Sequence, residues 1–359
     1  MRALSHLDEG VPELLSGDEI ARTATYLANL QRSNGMIPWF EGGHCDPWNH
    51  VEVAMALTVT GHPDAARAAY RWLAATQLGN GSWFNYYLGP RVKDQRLDTN
   101  VTAYVAAGLY HYLLVTSDVD FVAELWPCVE AAIEFVLRWQ LDDGTIRWSL
   151  DALGRPETYS LLTGSSSIYH SLRCAVALGE RLDLARANWE WSAGRLGHAV
   201  AHHPGAFAPK NEFAMDWYYP IFSGALRGPG AERRLEDGWE RHVMEGYGVR
   251  CVSTNDWVTA AETAECVLTL DAMGLTSRAL ELFSCTRQHR RGDGAYWTGL
   301  AYPERVSFPA QEVSSYTAAA ILLAADALCS GSPAAGLFRH EFLASAPDVA
   351  EAGCDRGSR

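Results

Sequence analysis

Four times along this chain a helix-like stretch ends in Gln, turns through a Gly and reaches a Trp. The copies are Gln31…Gly35…Trp39, Gln77…Gly81…Trp83, Gln140…Gly144…Trp148 and Gln288…Gly294…Trp297. A repeat with a period of about fifty residues constrains the fold more than any local motif, because each unit can bury its apolar side only against its neighbours. Between the copies, two kinds of helical text alternate. Segments 18–32, 64–77, 121–140, 184–202, 230–244 and 277–288 carry apolar residues at helical spacing with polar residues between, as Ile20, Ala24, Leu27 and Leu30 show. Segments 46–60, 98–115, 165–179, 216–226, 256–273 and 312–328 are apolar nearly all round, the fifth outer segment being the weakest helix and the fourth inner one being broken at Pro220. A helix apolar on every side is buried, so the second set belongs inside the first. Period-two alternation is missing from the sequence. The prediction is an all-α fold, an (α/α)6 barrel of six hairpins over 18–330, with an arm at 1–17, a frayed tail at 331–359 and no sheet beyond a short hairpin.

The best copy, YRWLAATQLGNGSW at 70–83, resembles the QW repeat of squalene–hopene cyclases and their relatives. That superfamily, with the protein prenyltransferase β-subunits, is built on an α/α toroid. Six-hairpin glycosidases share the double-ring plan and a Gln-x-x-Asp-Gly turn. The resemblance covers roughly 18–330 and implies an architecture, not a chemistry.

Composition narrows the chemistry. A formal net charge of −14 argues against nucleic acid or an anionic membrane as the main partner, since both call for a basic surface. No apolar run reaches the length of a membrane span, and MRALSHLDEG lacks the pattern of a signal peptide. The eight cysteines (45, 128, 174, 251, 266, 285, 329 and 354) are scattered, without a CxxC, and read as reduced thiols. These features predict a cytoplasmic protein.

In such a ring the inner helices run parallel, and their N-termini converge on one mouth. Five inner starts carry an acid: Asp46, Asp98, Asp216, Asp256 and Glu312; the remaining start carries Ser165, Ser166 and Ser167. The plainer reading of each is an N-cap that satisfies free backbone N–H groups. Around the same openings lie Glu41, His44, Trp48, Asn49, His50, Asn100, His170, Glu212, Trp217, Tyr218, Tyr219, Trp257 and Glu262. Aromatic faces among carboxylates and amides suit a sugar, whose C–H faces stack while its hydroxyls hydrogen-bond. They also suit an isoprenoid cation held by ring quadrupoles. Trp39, Trp83, Trp148 and Trp297 read as braces of the turns, whereas Trp48, Trp217 and Trp257 are expected in the cavity.

Motifs decide between these chemistries. The DxDD acid of class II terpene cyclases and the DDxxD metal site of class I enzymes are both missing. His44, Cys45, Asp46 and His50 have zinc-ligand chemistry but occupy one seven-residue stretch without a second Cys/His group, so no metal or other cofactor is expected. The Thr163–Ser167 run with His170 has no strands to form a nucleophile elbow. Glycoside hydrolysis asks only for two carboxyl groups flanking the bond, one protonated and one ionised. Glu262 is the expected proton donor, with burial raising its pKa. Asp46 or Asp216 is the expected base, and Asp256 is expected to tune Glu262. Trp48, His50, Asp98, Asn100, His170, Trp217, Tyr218, Trp257 and Glu312 are expected to bind substrate in the central cavity. The alternatives are an isoprenoid cyclase or transferase and a non-catalytic ligand-binding toroid.

Overall fold

The ring opens on a capping box. Ser16 accepts from the backbone of Glu19, and Glu19 reaches back to the backbone of Ser16, which sets the start of α1 (Gly17–Leu30). In the computed structural model, which describes residues 14–344, α1 leads to α2 (Pro47–Val59), capped by Asp46 with Pro47 in its first turn. The second hairpin runs from α3 (Pro63–Thr76) through β1 (Tyr86–Leu88), β2 (Arg91–Asp94) and β3 (Leu97–Asp98) into α4 (Thr99–Ala103) and α5 (Val105–Thr116). The third pairs α6 (Val119–Leu137), past β4 (Ser149–Leu150), with α7 (Leu162–Arg181). The fourth is α8 (Ala187–His202) with α9 (Ala214–Phe222). The fifth passes from α10 (Gly228–His242) through β5 (Val243–Met244), β6 (Gly248–Arg250) and β7 (Trp257–Thr259) to α11 (Ala260–Ala272). The last joins α12 (Thr276–Cys285), through β8 (Gly299–Ala301) and β9 (Val306–Ser307), to α13 (Ser315–Cys329).

The inner wall closes on itself. Helix α2 packs on α5, α5 on α7, α7 on α9, α9 on α11, α11 on α13, and α13 again on α2. Burial follows the sequence patterning. Nearly every residue of α2 is buried, whereas α1 buries only Thr23, Ala24 and Leu27.

The repeated Gln and Gly residues are the staples between hairpins. Gln31 Nε2 donates to the carbonyls of Gly35 (3.0 Å) and of Ala65 on α3 (2.8 Å). Gln77 does the same to Gly81 and to Cys128 on α6 (2.9 Å each), and Gln140 to Gly144 (3.0 Å) and Ser192 on α8 (2.9 Å). Each Gly has a positive φ and lies against the next outer helix; a Cβ on Gly81 would sit 2.1 Å from the carbonyl oxygen of Ala131. Gly294 abuts Arg22 of α1 in the same way and so helps close the ring. Its partner Gln288 departs from the pattern, donating instead to the Gly246 carbonyl and accepting from Tyr302.

Three expectations are corrected. The mouth carries a five-stranded antiparallel sheet, ordered β5-β6-β7-β8-β9, rather than at most a hairpin. Its strands are two or three residues long, too short to show alternation. Second, α11 and α13 begin at Ala260 and Ser315, later than Asp256 and Glu312, because β7 and the loop after β9 occupy the preceding residues. Third, the chain after Cys329 is not frayed as far as 344. Ala334, Leu337, Phe338 and Leu343 are buried. Tyr110 donates to the Phe342 carbonyl (2.9 Å), Arg173 to those of Leu343 and Ala344, and Arg339 pairs with Asp271 (2.8 Å). These partners stand at the middle of α5 and in the C-terminal halves of α7 and α11, so the segment covers that end of the barrel. The rest of the tail expected to be frayed (345–359), and most of the N-terminal arm (1–13), fall outside the described residues.

Candidate active site

Two of the six inner starts are built alike. Asp46 caps α2, its Oδ1 accepting from the backbone of Asn49 (2.9 Å) and its Oδ2 from Asn49 Nδ2 and Trp39 Nε1 (2.5 Å each). Asp98 caps α4, Oδ1 accepting from the backbones of Asn100 (2.8 Å) and Val101 (3.0 Å), and Oδ2 from Trp148 Nε1 (2.6 Å). Burial pushes the Asp98 carboxyl up to about 6, against the pull of those three donors. The repeat tryptophans therefore differ in role. Trp83 braces its turn, donating to the Leu73 carbonyl (2.9 Å), while Trp39 and Trp148 hold the acids at the mouth.

The inner face below is aromatic and acidic. Trp48 stacks on Tyr104 (4.5 Å between centroids), meets Tyr316 edge-on and donates to Ser167 Oγ across the ring. Glu265, on α11, accepts from the hydroxyls of Tyr218 (2.5 Å), Tyr316 (2.5 Å) and Tyr219 (3.0 Å). Glu52, on α2, accepts from Tyr104. Burial raises Glu265 to about 8 and Glu52 to about 7, and each Glu265 proton is favoured further by the Glu52 charge. Glu262 stands one turn nearer the mouth than Glu265 on the same face of α11. It is buried, within hydrogen-bonding reach of the Cys251 thiol, and its charge is felt by Tyr218, Tyr219, Tyr316 and Glu265.

Other predicted site residues lie elsewhere. His50 points out of the ring, accepting from the Ile37 backbone (3.1 Å) and meeting the Ala69 carbonyl (2.9 Å). His170 sits toward the opposite end, stacked on Phe338 and beside His340. Trp217 faces α10, stacked on His242 and donating to the Arg234 carbonyl (2.8 Å). Asp256 lies in the loop before β7, largely exposed and paired with Arg250 (3.0 Å), so it is not on the helix of Glu262. Glu312 precedes the true cap, Ser314, and its backbone bonds Pro309 and Thr298. Trp257 belongs to β7, which runs directly into α11, and its indole donates to the Phe308 carbonyl (2.9 Å). Asn100 lies beside Gly164 at the start of α7, its buried Oδ1 without a protein partner among the described residues. Asp216 is inside the first turn of α9 and accepts from the Thr163 hydroxyl (2.8 Å); burial raises it. No three His, Cys, Asp or Glu side chains among the described residues are grouped to hold a metal; His44 packs between Trp39 and Tyr86 while His50 faces α3.

The residues that the sequence reading passed over are Glu52, Glu265, Tyr104 and Tyr316. Their signal was available: a charged residue inside an otherwise apolar, fully buried helix has to face a polar partner.

The closed (α/α)6 ring is a fold shared with solved sugar-converting enzymes. A solved D-mannose isomerase shares the fold at a TM-score of 0.65 and 11% identity, covering 86% of this chain and 96% of that one. Cellobiose 2-epimerase from Bacillus thermoamylovorans B4167 matches at 0.64 and 9%, over 86% and 98%. A glycosidase variant solved in complex with glucose matches at 0.64 and 14%, over 89% and 100%. The chain matches no sequence model of a protein family. One relative is far nearer in sequence: the MMP endo-(1,4)-3-O-methyl-alpha-D-mannosidase of Mycolicibacterium hassiacum is 47% identical over 330 residues, 92% of this chain and 91% of the relative. The chain belongs to the family of that mannosidase and is a glycoside hydrolase. Among the described residues no helix is long and apolar enough to cross a membrane.

Proposed function

We propose that this hydrolase cuts internal α-1,4 bonds of a 3-O-methylated mannose polymer, as the relative's name describes, with Glu262 as proton donor and Asp46 as the base that activates water. The observation that carries this pairing is the position of Tyr316. Its ring lies 6.4 Å from that of Trp39, which donates to Asp46, and its hydroxyl is bonded to Glu265 while its phenol senses the Glu262 charge. Asp46 and Glu262 thus flank one aromatic on α13, as two carboxyls acting on opposite sides of a sugar ring must. Three donors engage Asp46, which leaves acceptor capacity on Oδ1 for a water. Asp216, bonded to Thr163 and backed by Arg234, is the poorer base. Trp48 and Tyr104 form the stacking floor for the sugar.

Substrate methyl groups have a matching surface. Phe308 is 55% and Val306 56% exposed beside Trp257, an apolar ledge on the sheet that feeds α11. Each 3-O-methyl group removes a hydroxyl donor and adds apolar area, which favours such a ledge over a hydrogen-bonding one. The test is to incubate the protein with 3-O-methylated α-1,4-mannan oligosaccharides and resolve the products by mass spectrometry. Internal fragments that disappear in Glu262→Gln support the reading. Turnover of the oligosaccharides by Glu262→Gln at the wild-type rate overturns the assignment.

A further inference from the structure

Four arginines line one outer cleft of this acidic chain, although helix α10 also carries Glu232, Glu236, Asp237 and Glu240. Helix α10 and its approach present Arg227, Arg233, Arg234 and Arg241 to a cleft of about 660 Å³ between α8, α9 and α10, although the whole chain has a net charge of −14. The only acids on that lining are Asp216 and Asp237. Arg234 is committed, donating to the carbonyls of Trp217 (2.8 Å) and Asp216 (2.7 Å). Arg227 uses one nitrogen, Nε, on the Gly224 carbonyl (3.0 Å), which leaves the rest of its fork free to bind. Arg233 and Arg241 are exposed and have no hydrogen bond or ion pair among the described residues.

At the inner end of the cleft lies His242. It is 1% exposed and stacked on Trp217 at 5.2 Å, and its Nδ1 has no hydrogen-bond partner. Its other nitrogen bonds the backbone of Asn211. A ring that donates from that nitrogen to a carbonyl leaves Nδ1 as an acceptor when neutral. Burial and the charges of Arg241 and Arg250 hold the ring in its neutral form, lowering it to about 4. The cleft therefore combines guanidinium donors at its rim with one buried acceptor at its end.

We propose that this cleft binds a monoprotonated phosphate group, free or as the monoester of a sugar, with its oxyanions on Arg233, Arg241 and Arg227 and its P–OH donating to His242 Nδ1. Arginine forks match tetrahedral oxyanions. The buried acceptor adds a discrimination that charge alone lacks, since sulfate carries no proton at neutral pH and would leave Nδ1 unpaired. The site is separate from Asp46 and Glu262, so it stands or falls independently of the catalytic assignment.

The experiment is thermal denaturation of the full chain at pH 7 and matched ionic strength, titrated with inorganic phosphate, mannose 1-phosphate or sulfate. The expected result is a saturable rise in Tm with one or both phosphates, and at least a tenfold weaker response to sulfate. An Arg233→Ala/Arg241→Ala double variant should lose the rise while keeping its unliganded Tm and its glycosidase activity. Stronger binding of mannose 1-phosphate identifies an ester as the ligand, and equal binding identifies the free ion; both support the site. An equal response to sulfate, no saturable response, or a response undiminished in the double variant overturns it.

Discussion

Trp148 donates its indole N–H to Asp98 across 2.6 Å, and Trp39 does the same to Asp46 across 2.5 Å. In each case a tryptophan of the repeat is joined to an acid that opens an inner helix, the following one for Trp39 and the preceding one for Trp148, so a motif that builds the ring also orients its mouth. Trp83, at the equivalent place in the copy between them, bonds the Leu73 carbonyl instead. The two kinds of position should separate on mutation. Trp39→Phe should keep most of the stability and lower kcat at least tenfold, because Asp46 loses one of the donors that fixes its Oδ2. Trp83→Phe should cost about 0.5–1.5 kcal/mol for the lost hydrogen bond to the Leu73 carbonyl, which keeps its longer bond from Thr76 Oγ1 (3.3 Å), while the surviving folded enzyme turns over normally. Denaturation curves and kcat measured on both variants check this.

Glu262→Gln should lower kcat by about 10²–10⁴, the usual range for loss of a general acid, with little change in Tm, because the amide keeps the shape and loses the proton. Asp46→Asn should be equally damaging to turnover in the folded protein and should also cost about 1–3 kcal/mol of stability, because Asn keeps one acceptor for the cap and turns its NH2 to donors that Asp46 satisfies on its other oxygen. Glu124→Gln is the control: its pair with Arg71 is half exposed on both sides and joins two outer helices, so neither turnover nor Tm should change measurably. Kinetics and melting curves on the three variants distinguish a catalytic pair from two structural carboxyls.

The ring was legible in the sequence because its rule is local and repeated. Apolar-all-round text at 46–60 and amphipathic text at 18–32 differ in which faces water can touch, and α2 and α1 obey that difference. Glu262 was legible as an acid near a buried helix start. What a chain pattern cannot give is the direction of a side chain across the ring. His50 and Trp48 stand two residues apart on α2, yet one faces α3 and the other Tyr104, because adjacent helical positions differ by about 100°. The same limit sent Trp217 outward to His242. Asp256 was misplaced for another reason: three residues of strand precede α11, and a strand that short carries no period of its own.

Gly81→Ala should test the staples. At φ +97° with the Ala131 carbonyl oxygen 2.1 Å from a would-be Cβ, the methyl meets backbone that cannot rotate away. Both the strained φ and the clash act, and the loss should be about 3 kcal/mol or more. Gln77→Ala removes the donor to Gly81 and Cys128 without a clash and should cost less, about 1–3 kcal/mol. Urea midpoints in the order wild type, Gln77→Ala, Gly81→Ala are expected; the reverse order of the two variants would contradict the packing argument.

Buried titratable groups give the stability a shape in pH. Burial lowers His50 to about 4 and His111 and His170 to about 3, from 6.5. Their contribution is present above pH 6.5 and is lost as pH falls, because the unfolded chain takes up the protons first. Glu265 works in the opposite sense. Raised from 4.5 to about 8, it favours the fold fully below pH 4.5, and that advantage is lost as pH rises to about 8. Glu265→Gln mimics the protonated acid, keeping an acceptor for tyrosine hydroxyls. The variant should lose stability less steeply than wild type between pH 5 and 8, with the acid limb unchanged. Parallel curves for the two proteins over that range would show that Glu265 does not titrate there.

The apolar ledge makes the last prediction, and it depends on the proposed substrate. Trp257 is held flat against Gly299, where a Cβ would meet its indole nitrogen at 2.2 Å, and its N–H is already bonded to the Phe308 carbonyl. Phe308 closes the ledge edge-on at 5.4 Å, so what the surface offers an incoming sugar there is ring faces and no free donor. Burying one methyl group is worth about 0.8 kcal/mol, or about fourfold in binding, for each 3-O-methyl that reaches the ledge. Phe308→Ala should therefore raise KM for a 3-O-methylated oligosaccharide about fourfold or more and leave kcat near the wild-type value, because Phe308 supplies apolar surface and neither acid nor base. With the matching unmethylated α-1,4-mannan oligosaccharide the same variant should change KM little. The ratio of kcat/KM for the two substrates is the measurement: a fall in the methylated-to-unmethylated ratio is expected, and an equal loss on both substrates would mean that Phe308 supports the loop and does not read the methyl group.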